Sequence, residues 1–172
     1  SKMECFIKVT AGSIKSERML DREFVLRFVS FCYLDLDLYN GNIDEFLNEG
    51  MKFLNHVSES KMRKIKEDFS FVMNSIFVVL GRNSFRKICG DGRRRPINKV
   101  IFESWCYVFR LLSLSNIEKL KNNSDEIQKQ YMELCESPDY LYLLKLPDKK
   151  ALYARIKAVE KLVYKFIEED EK

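Results

Sequence analysis

Residues 18–31 read Arg-Met-Leu-Asp-Arg-Glu-Phe-Val-Leu-Arg-Phe-Val-Ser-Phe. Leu20, Phe24, Phe28 and Phe31 recur at helical spacing and line one face. Arg27 lies on that same face, between Phe24 and Phe31. An unpaired charge in an apolar stripe is costly, so Arg27 needs a partner or a route to water. Glu23, four residues earlier, stands in the favourable order for an i,i+4 pair. The stretch predicts an amphipathic helix that runs on to about Leu36, with Asp21 as its cap, and against which the remaining helices pack.

The same period continues outward along the chain. Asn42 with Glu45 three residues on is a capping pattern, and Ile43, Phe46, Leu47, Gly50, Met51 and Leu54 form the stripe behind it. Ser58 can cap a third helix reaching Leu80 through Met62, Ile65, Phe69, Val72, Met73, Ile76 and Val79, with Gly81 as its stop. Ile97 to about Leu112 carries Val100, Ile101, Trp105, Val108 and Leu112. Ser124 can cap a helix bearing Ile127, Tyr131 and Leu134. Asp148 can cap a last helix bearing Leu152, Ile156, Val159, Val163 and Phe166. Residues 115–121 read as a further short helix, and 137–147 as a loop or a short helical turn. Residues 3–11 are open between a short strand and a frayed helix end.

Composition agrees with helices. Six Gly and three Pro in 172 residues argue against a turn-rich β architecture, and 33% charged residues suit long helices with solvated outer faces. The expectation is an all-α domain, an irregular bundle of about six helices over residues 18–172, preceded by a linker or domain remnant over 1–17. The length is enough to bury a core without disulfide or metal. No run of about 18 apolar residues is present, so no membrane span is expected. Both ends read as cut from a longer protein, the second in an acidic run from Glu168.

Five cysteines, none spaced Cys-x-x-Cys, and a single histidine, His56, leave no usual zinc ligand set. They read as reduced, mostly buried thiols of a cytoplasmic protein. No metal or cofactor is expected. Asp35 and Asp37, two apart, point to different helix faces and make a poor metal pair. No nucleophile–base set can be assembled, which removes the basis for a free-standing enzyme.

The net charge of +4 is permissive for nucleic acid, so clustering decides. Arg82, Arg86, Lys87, Arg93, Arg94 and Arg95 face Asp91 alone between positions 82 and 95. Such a cluster can follow phosphates, with Arg the better bidentate donor. A solvated loop, or one paired with an acidic neighbouring domain, is the plainer account of a charge run. Gly90-Asp91-Gly92 lacks the spacing of a P-loop. A basic loop on the same face as Lys15, Arg18 and Arg22 would favour DNA, and one opposite an apolar patch would favour domain docking.

Several short motifs occur in order. Arg18-x-x-Asp21-x-Glu23-x-Val25-Leu26-Arg27-Phe28 comes first. Tyr39, Phe46-Leu47-Asn48 with Met51, Phe85-Arg86, and Ile97-Asn98 with Ile101-Phe102-Glu103 follow, with Arg155 later. Together they resemble the helical region C-terminal to the ParB/sulfiredoxin-like domain in the GmrSD-type restriction and defence family, over about residues 18–103. The resemblance implies a non-catalytic helical domain beside an NTP-dependent nuclease module. It implies a ParB-like domain as partner in the same polypeptide, with DNA contact as a further expectation. Asp21, Glu23, Arg27 and Glu103 are read as a structural ion network. The family's Asp-Gly-Gln-Gln-Arg motif and its His-Asn-His nuclease motif are both missing, so no catalytic residue carries over. A protein-interaction or oligomerisation module without nucleic acid is the alternative.

Overall fold

Helix boundaries follow local chemistry. Asn42 opens one helix with its side-chain oxygen, which accepts the backbone N–H groups of Asp44 (3.1 Å) and Glu45 (3.3 Å). Ser58 accepts Lys61 N–H at 3.2 Å, Asn98 accepts Val100 and Ile101 N–H at 2.9 and 3.1 Å, and Asp148 accepts Ala151 N–H at 2.9 Å. The structure, a computed structural model, describes residues 4–14 and 19–168. These form nine α-helices: α1 (Glu4–Thr10), α2 (Leu20–Tyr33), α3 (Ile43–His56), α4 (Glu59–Leu80), α5 (Lys99–Arg110), α6 (Leu114–Asn122), α7 (Ser124–Glu136), α8 (Pro138–Leu143) and α9 (Lys149–Glu168). No strand occurs among the described residues, whose one extended pairing is an isolated antiparallel bridge between Arg86 and Ile97.

The all-α expectation holds, and the count of about six helices is corrected to nine. α6 is the short helix expected at 115–121, α8 falls in the stretch read as a loop or a short helical turn, and α1 in the stretch left open between a strand and a helix end; they are 9, 6 and 7 residues long. Helices that short are marginal alone and form because tertiary packing holds them. Residues 4–10, expected within a linker, are helix α1, and its Phe6 and Val9 are buried against α4. Asp21 does not cap α2. The helix begins at Leu20, after Met19 in the left-handed region at φ 54°, and Asp21 is already inside the first turn. Ser124 is likewise the first residue of α7, its hydroxyl donating to Val79 O at 2.7 Å.

The centre of the bundle is α5, where the expectation put α2. α5 packs against α2, α4 and α9. Positions 101–106 are buried without interruption, so the helix meets neighbours all round. Phe102 meets Phe24 of α2 edge-on at 4.9 Å between ring centroids and Phe85 at 4.8 Å, while Trp105 meets Tyr131 of α7 at 4.9 Å. Phe24, Phe28 and Phe31 are buried as their period requires, and α3 covers the far side of α2. There Gly50 lets the two backbones approach, since a Cβ at that position would stand 2.1 Å from Ser30 Oγ. Met51, assigned to the inner stripe, is instead exposed. No helix among the described residues is long and apolar enough to cross a membrane.

Candidate nucleic-acid interface

The basic stretch starts where α4 stops. Gly81, at φ 52°, turns the chain, and Ser84 donates its hydroxyl to Gly81 O at 2.7 Å. Phe85 follows in the left-handed region at φ 60°, fully buried. A non-glycine residue there stores backbone strain and persists only because its surroundings fix it. Here the ring is held by Phe102, and Phe85 O accepts Asn98 N–H at 2.8 Å. The bridge between Arg86 and Ile97 closes the base of the loop.

The tip is held as well. Gly92 N–H donates to Cys89 O at 3.2 Å, with Gly92 at φ 68°. Asp91 accepts Arg93 N–H at 3.0 Å and pairs with Arg95 at 2.6 Å. Glu136, at the end of α7, accepts Gly90 N–H at 2.9 Å and ties the tip to the bundle.

The six predicted cations therefore separate. Arg82, Arg93 and Arg94 are exposed and Lys87 is half-buried; none of the four makes an ion pair among the described residues. Arg95 is committed to Asp91. Arg86 departs most from expectation. Its side chain is buried and donates to Arg95 O (2.5 Å), Thr10 O (3.2 Å) and Ser13 Oγ (2.8 Å), which stitches α1 and the residues after it to the loop. Burial, and then the nearby Arg94 charge, push its pKa below the ordinary arginine value. It is an internal strut and offers nothing to a phosphate. Arg22 is exposed; Lys15 and Arg18, the other cations of the expected common face, lie outside the described residues.

The second cluster is internal. Arg27 is buried, with Nε donating to Glu23 Oε1 at 2.9 Å and Nη1 bonded to Glu103 Oε1 of α5. Lys99 of α5 reaches back to Glu23 at 2.8 Å. These contacts clamp α2 to α5. Asp21 is buried and accepts Arg22 N–H at 2.9 Å; among the described residues it makes no ion pair with Arg27. Lys99 is the member that sequence reasoning missed, because its partner lies 76 residues away and no local spacing announces it.

Electrostatics differ sharply within this clamp. Glu103 is fully buried, and loss of water pushes its carboxyl up to about 7, the Arg27 charge opposing. Burial also acts on Glu23, but there the bonds from Lys99 and Arg27 outweigh it and hold the carboxyl below its ordinary value. Arg155 of α9, through its charge, also favours the ionised form of Glu103. Its Nη1 donates to Leu143 O and Leu146 O, each at 2.8 Å, and so ties down the turn between α8 and α9. Tyr39 fixes the same turn by donating to Pro147 O at 2.6 Å. Arg27 and Glu103 meet inside the core, while Glu23 and Lys99 close the pair at its partly exposed edge.

Elsewhere, His56 is exposed, with Nδ1 2.7 Å from Lys52 O. All five cysteines are free. Among the described residues no group of three or more His, Cys, Asp and Glu side chains is placed to hold a metal. Comparison of the chain with protein-family models, curated proteins and solved structures gives no match.

Proposed function

We propose that this chain is a non-catalytic helical binding module whose loop between Arg82 and Arg95 follows the phosphate backbone of duplex DNA. In this reading it serves, as the family resemblance implies, beside an NTP-dependent nuclease module in a restriction or defence-type protein. One observation carries the proposal. Among the described residues Arg82, Lys87, Arg93 and Arg94 make no ion pair, on a loop that Arg86, Glu136 and the Arg86–Ile97 bridge hold in place. Cations held on an anchored loop lose little conformational entropy when they meet phosphate, so they bind better than the same charges on a free tail. Phosphate contact of this kind positions a protein without reading sequence, which fits a module that assists a separate catalytic unit.

The test is anisotropy of a labelled duplex at low salt, with the wild type beside Arg82→Ala/Arg93→Ala/Arg94→Ala. The proposal expects saturable binding by the wild type and a large loss in the variant. Absence of binding at low salt, or equal binding by both, overturns it.

A second reading, a protein-interaction module, is favoured by a specific apolar feature. Leu111 and Leu114, at the corner between α5 and α6, are 54% and 72% exposed. Concentration-dependent self-association that Leu111→Ser/Leu114→Ser removes, together with no DNA binding, would select it.

A further inference from the structure

We propose that the outer face of α9 binds single-stranded nucleic acid, with its lysines on the phosphates and Tyr153 against a base. α9 turns its apolar side inward, where Leu152, Val159 and Val163 are fully buried. On the opposite side Lys150, Lys157, Lys161 and Lys165 recur at i, i+7, i+11 and i+15, which makes one row on a helix of 3.6 residues per turn. All four are exposed. At 1.5 Å per residue the row is about 22 Å long.

Folding does not account for this row. Lys52, Lys64 and Lys129 each pair with a carboxylate three or four residues away, at 2.7, 2.8 and 3.8 Å. On α9, Lys157, Lys161 and Lys165 instead follow one another four residues apart, a like-charge spacing that weakens a helix. Among the described residues none of the four lysines of the row makes an ion pair, and Lys165 donates to Gln130 Oε1 at 3.2 Å. A local choice that works against its own helix marks a surface with another use. The acids nearby flank the row. Asp37 is paired with Lys149 at 2.8 Å, Glu133 shares a shallow groove on the α7 side with Lys161 and Lys165, and Glu168 stands at the far end.

The aromatic edge chooses among polyanions. Tyr153, 42% exposed, and Tyr164, half-buried, lie three turns apart on the edge of the row away from α7. The Tyr153 hydroxyl donates to Asp37 Oδ1 at 3.1 Å, which fixes the ring beside Lys150 and Lys157. An exposed ring set among cations suits unstacked bases, which pack on aromatic faces while the backbone follows the charge. A duplex keeps its bases stacked and has no use for the ring. An anionic membrane would take apolar side chains into its interface, and this face carries no Leu, Phe or Trp. The surface lies on a different element from the basic loop and does not depend on the duplex reading.

The test is anisotropy of a labelled single strand of about ten thymidylates, within the range of single-strand site sizes, beside an abasic strand of the same length. The wild type should bind the thymidylate strand saturably at low salt, and the abasic strand about fivefold or more weakly. Lys157→Gln/Lys161→Gln/Lys165→Gln should weaken binding and make its salt slope shallower by about 2.1, at about 0.7 for each phosphate contacted on a single strand. Lys157→Gln alone, with a change of about 0.7, repeats that arm should the triple variant lose its cooperative melt. Tyr153→Ala should weaken the thymidylate strand about fivefold or more, and Tyr153→Phe, which keeps the ring, should recover most of that loss. Failure of duplex binding bears on the loop and not on this surface, since the two probes are titrated separately. No saturable single-strand binding, equal affinity for the abasic strand, wild-type affinity in Tyr153→Ala, or an unchanged salt slope in the folded lysine variants overturns the proposal. Tighter binding to phosphatidylserine vesicles than to the single strand overturns it as well.

Discussion

Replacing Glu103 by Gln should flatten the dependence of stability on pH between pH 5 and pH 8. The folded protein raises this carboxyl from its ordinary 4.5 to about 7, burial being the largest cause and Arg27 the main opposing one. The folded state therefore holds the proton more tightly than the unfolded chain. The resulting stability is fully present below pH 4.5 and is lost as the pH rises to about 7 and beyond. At about 1.4 kcal/mol for each pH unit of difference, the total is about 3 kcal/mol, most of which falls between pH 5 and pH 8. Glutamine keeps the shape and cannot titrate. The carboxylates held low, Glu23, Asp37, Asp68 and Glu126, act below this window, and the raised buried cysteines and tyrosines act above it. Urea unfolding followed by the fluorescence of Trp105, the only tryptophan and fully buried, gives the stability at each pH. The wild type should lose about 2–3 kcal/mol relative to Glu103→Gln across the window. A difference that does not change with pH, or a wild type that gains on the variant as pH rises, would refute the reasoning. It would mean that the Arg27 pair outweighs burial.

Three further perturbations follow from the packing. Arg86→Ala takes the side-chain donor from Arg95 O and removes the bonds to Thr10 O and Ser13 Oγ, at about 1–3 kcal/mol; a urea midpoint within experimental error of the wild type would count against Arg86 as a strut. Asn98→Ala removes the side-chain acceptor of two N–H groups at the start of α5 and should cost about 1 kcal/mol; the same unfolding assay measures it, and Asn98→Ser should recover most of the loss. Gly50→Ala places a methyl 2.1 Å from Ser30 Oγ and 3.3 Å from Ser30 Cβ and Leu26 Cδ1. It should cost about 1–3 kcal/mol alone, and markedly less in a Ser30→Ala background, because that hydroxyl has no hydrogen-bond partner among the described residues to lose. Additive effects in this double-mutant cycle would show that the two residues do not meet.

What the chain discloses about itself depends on whether the cause is local. The stripes of α2, α4 and α9 are legible because burial on one face imposes a 3.6-residue period. Arg27 needed a partner, and its helical neighbour Glu23 was within reach of a spacing argument. The central place of α5 was not legible. Glu103 and Ser104 interrupt its apolar run, so it reads as one-faced, although Arg27 satisfies the first and the second donates back to Val100 O and Ile101 O. Arg86 looks like its solvated neighbours because its acceptors are two backbone carbonyls and a serine hydroxyl, two of the three more than 70 residues away. The basic loop was visible as composition, whereas its division into free cations, the Asp91–Arg95 pair and one internal strut depends on the turn at Phe85.

The central claim is that exposed loop cations meet phosphate, and its most direct measurement is the salt dependence of duplex binding. Each phosphate neutralised on B-DNA contributes about −0.9 to the slope of log affinity against log salt. Removing Arg82, Arg93 and Arg94 together should therefore make the slope shallower by about 2.7. The chain should melt as the wild type does, because none of the three makes an ion pair among the described residues. A wild-type chain that binds with a steep slope, and a variant whose slope falls by that amount, is the result the account predicts. An unchanged slope in a folded variant, or a wild type that does not bind at low salt, would contradict it.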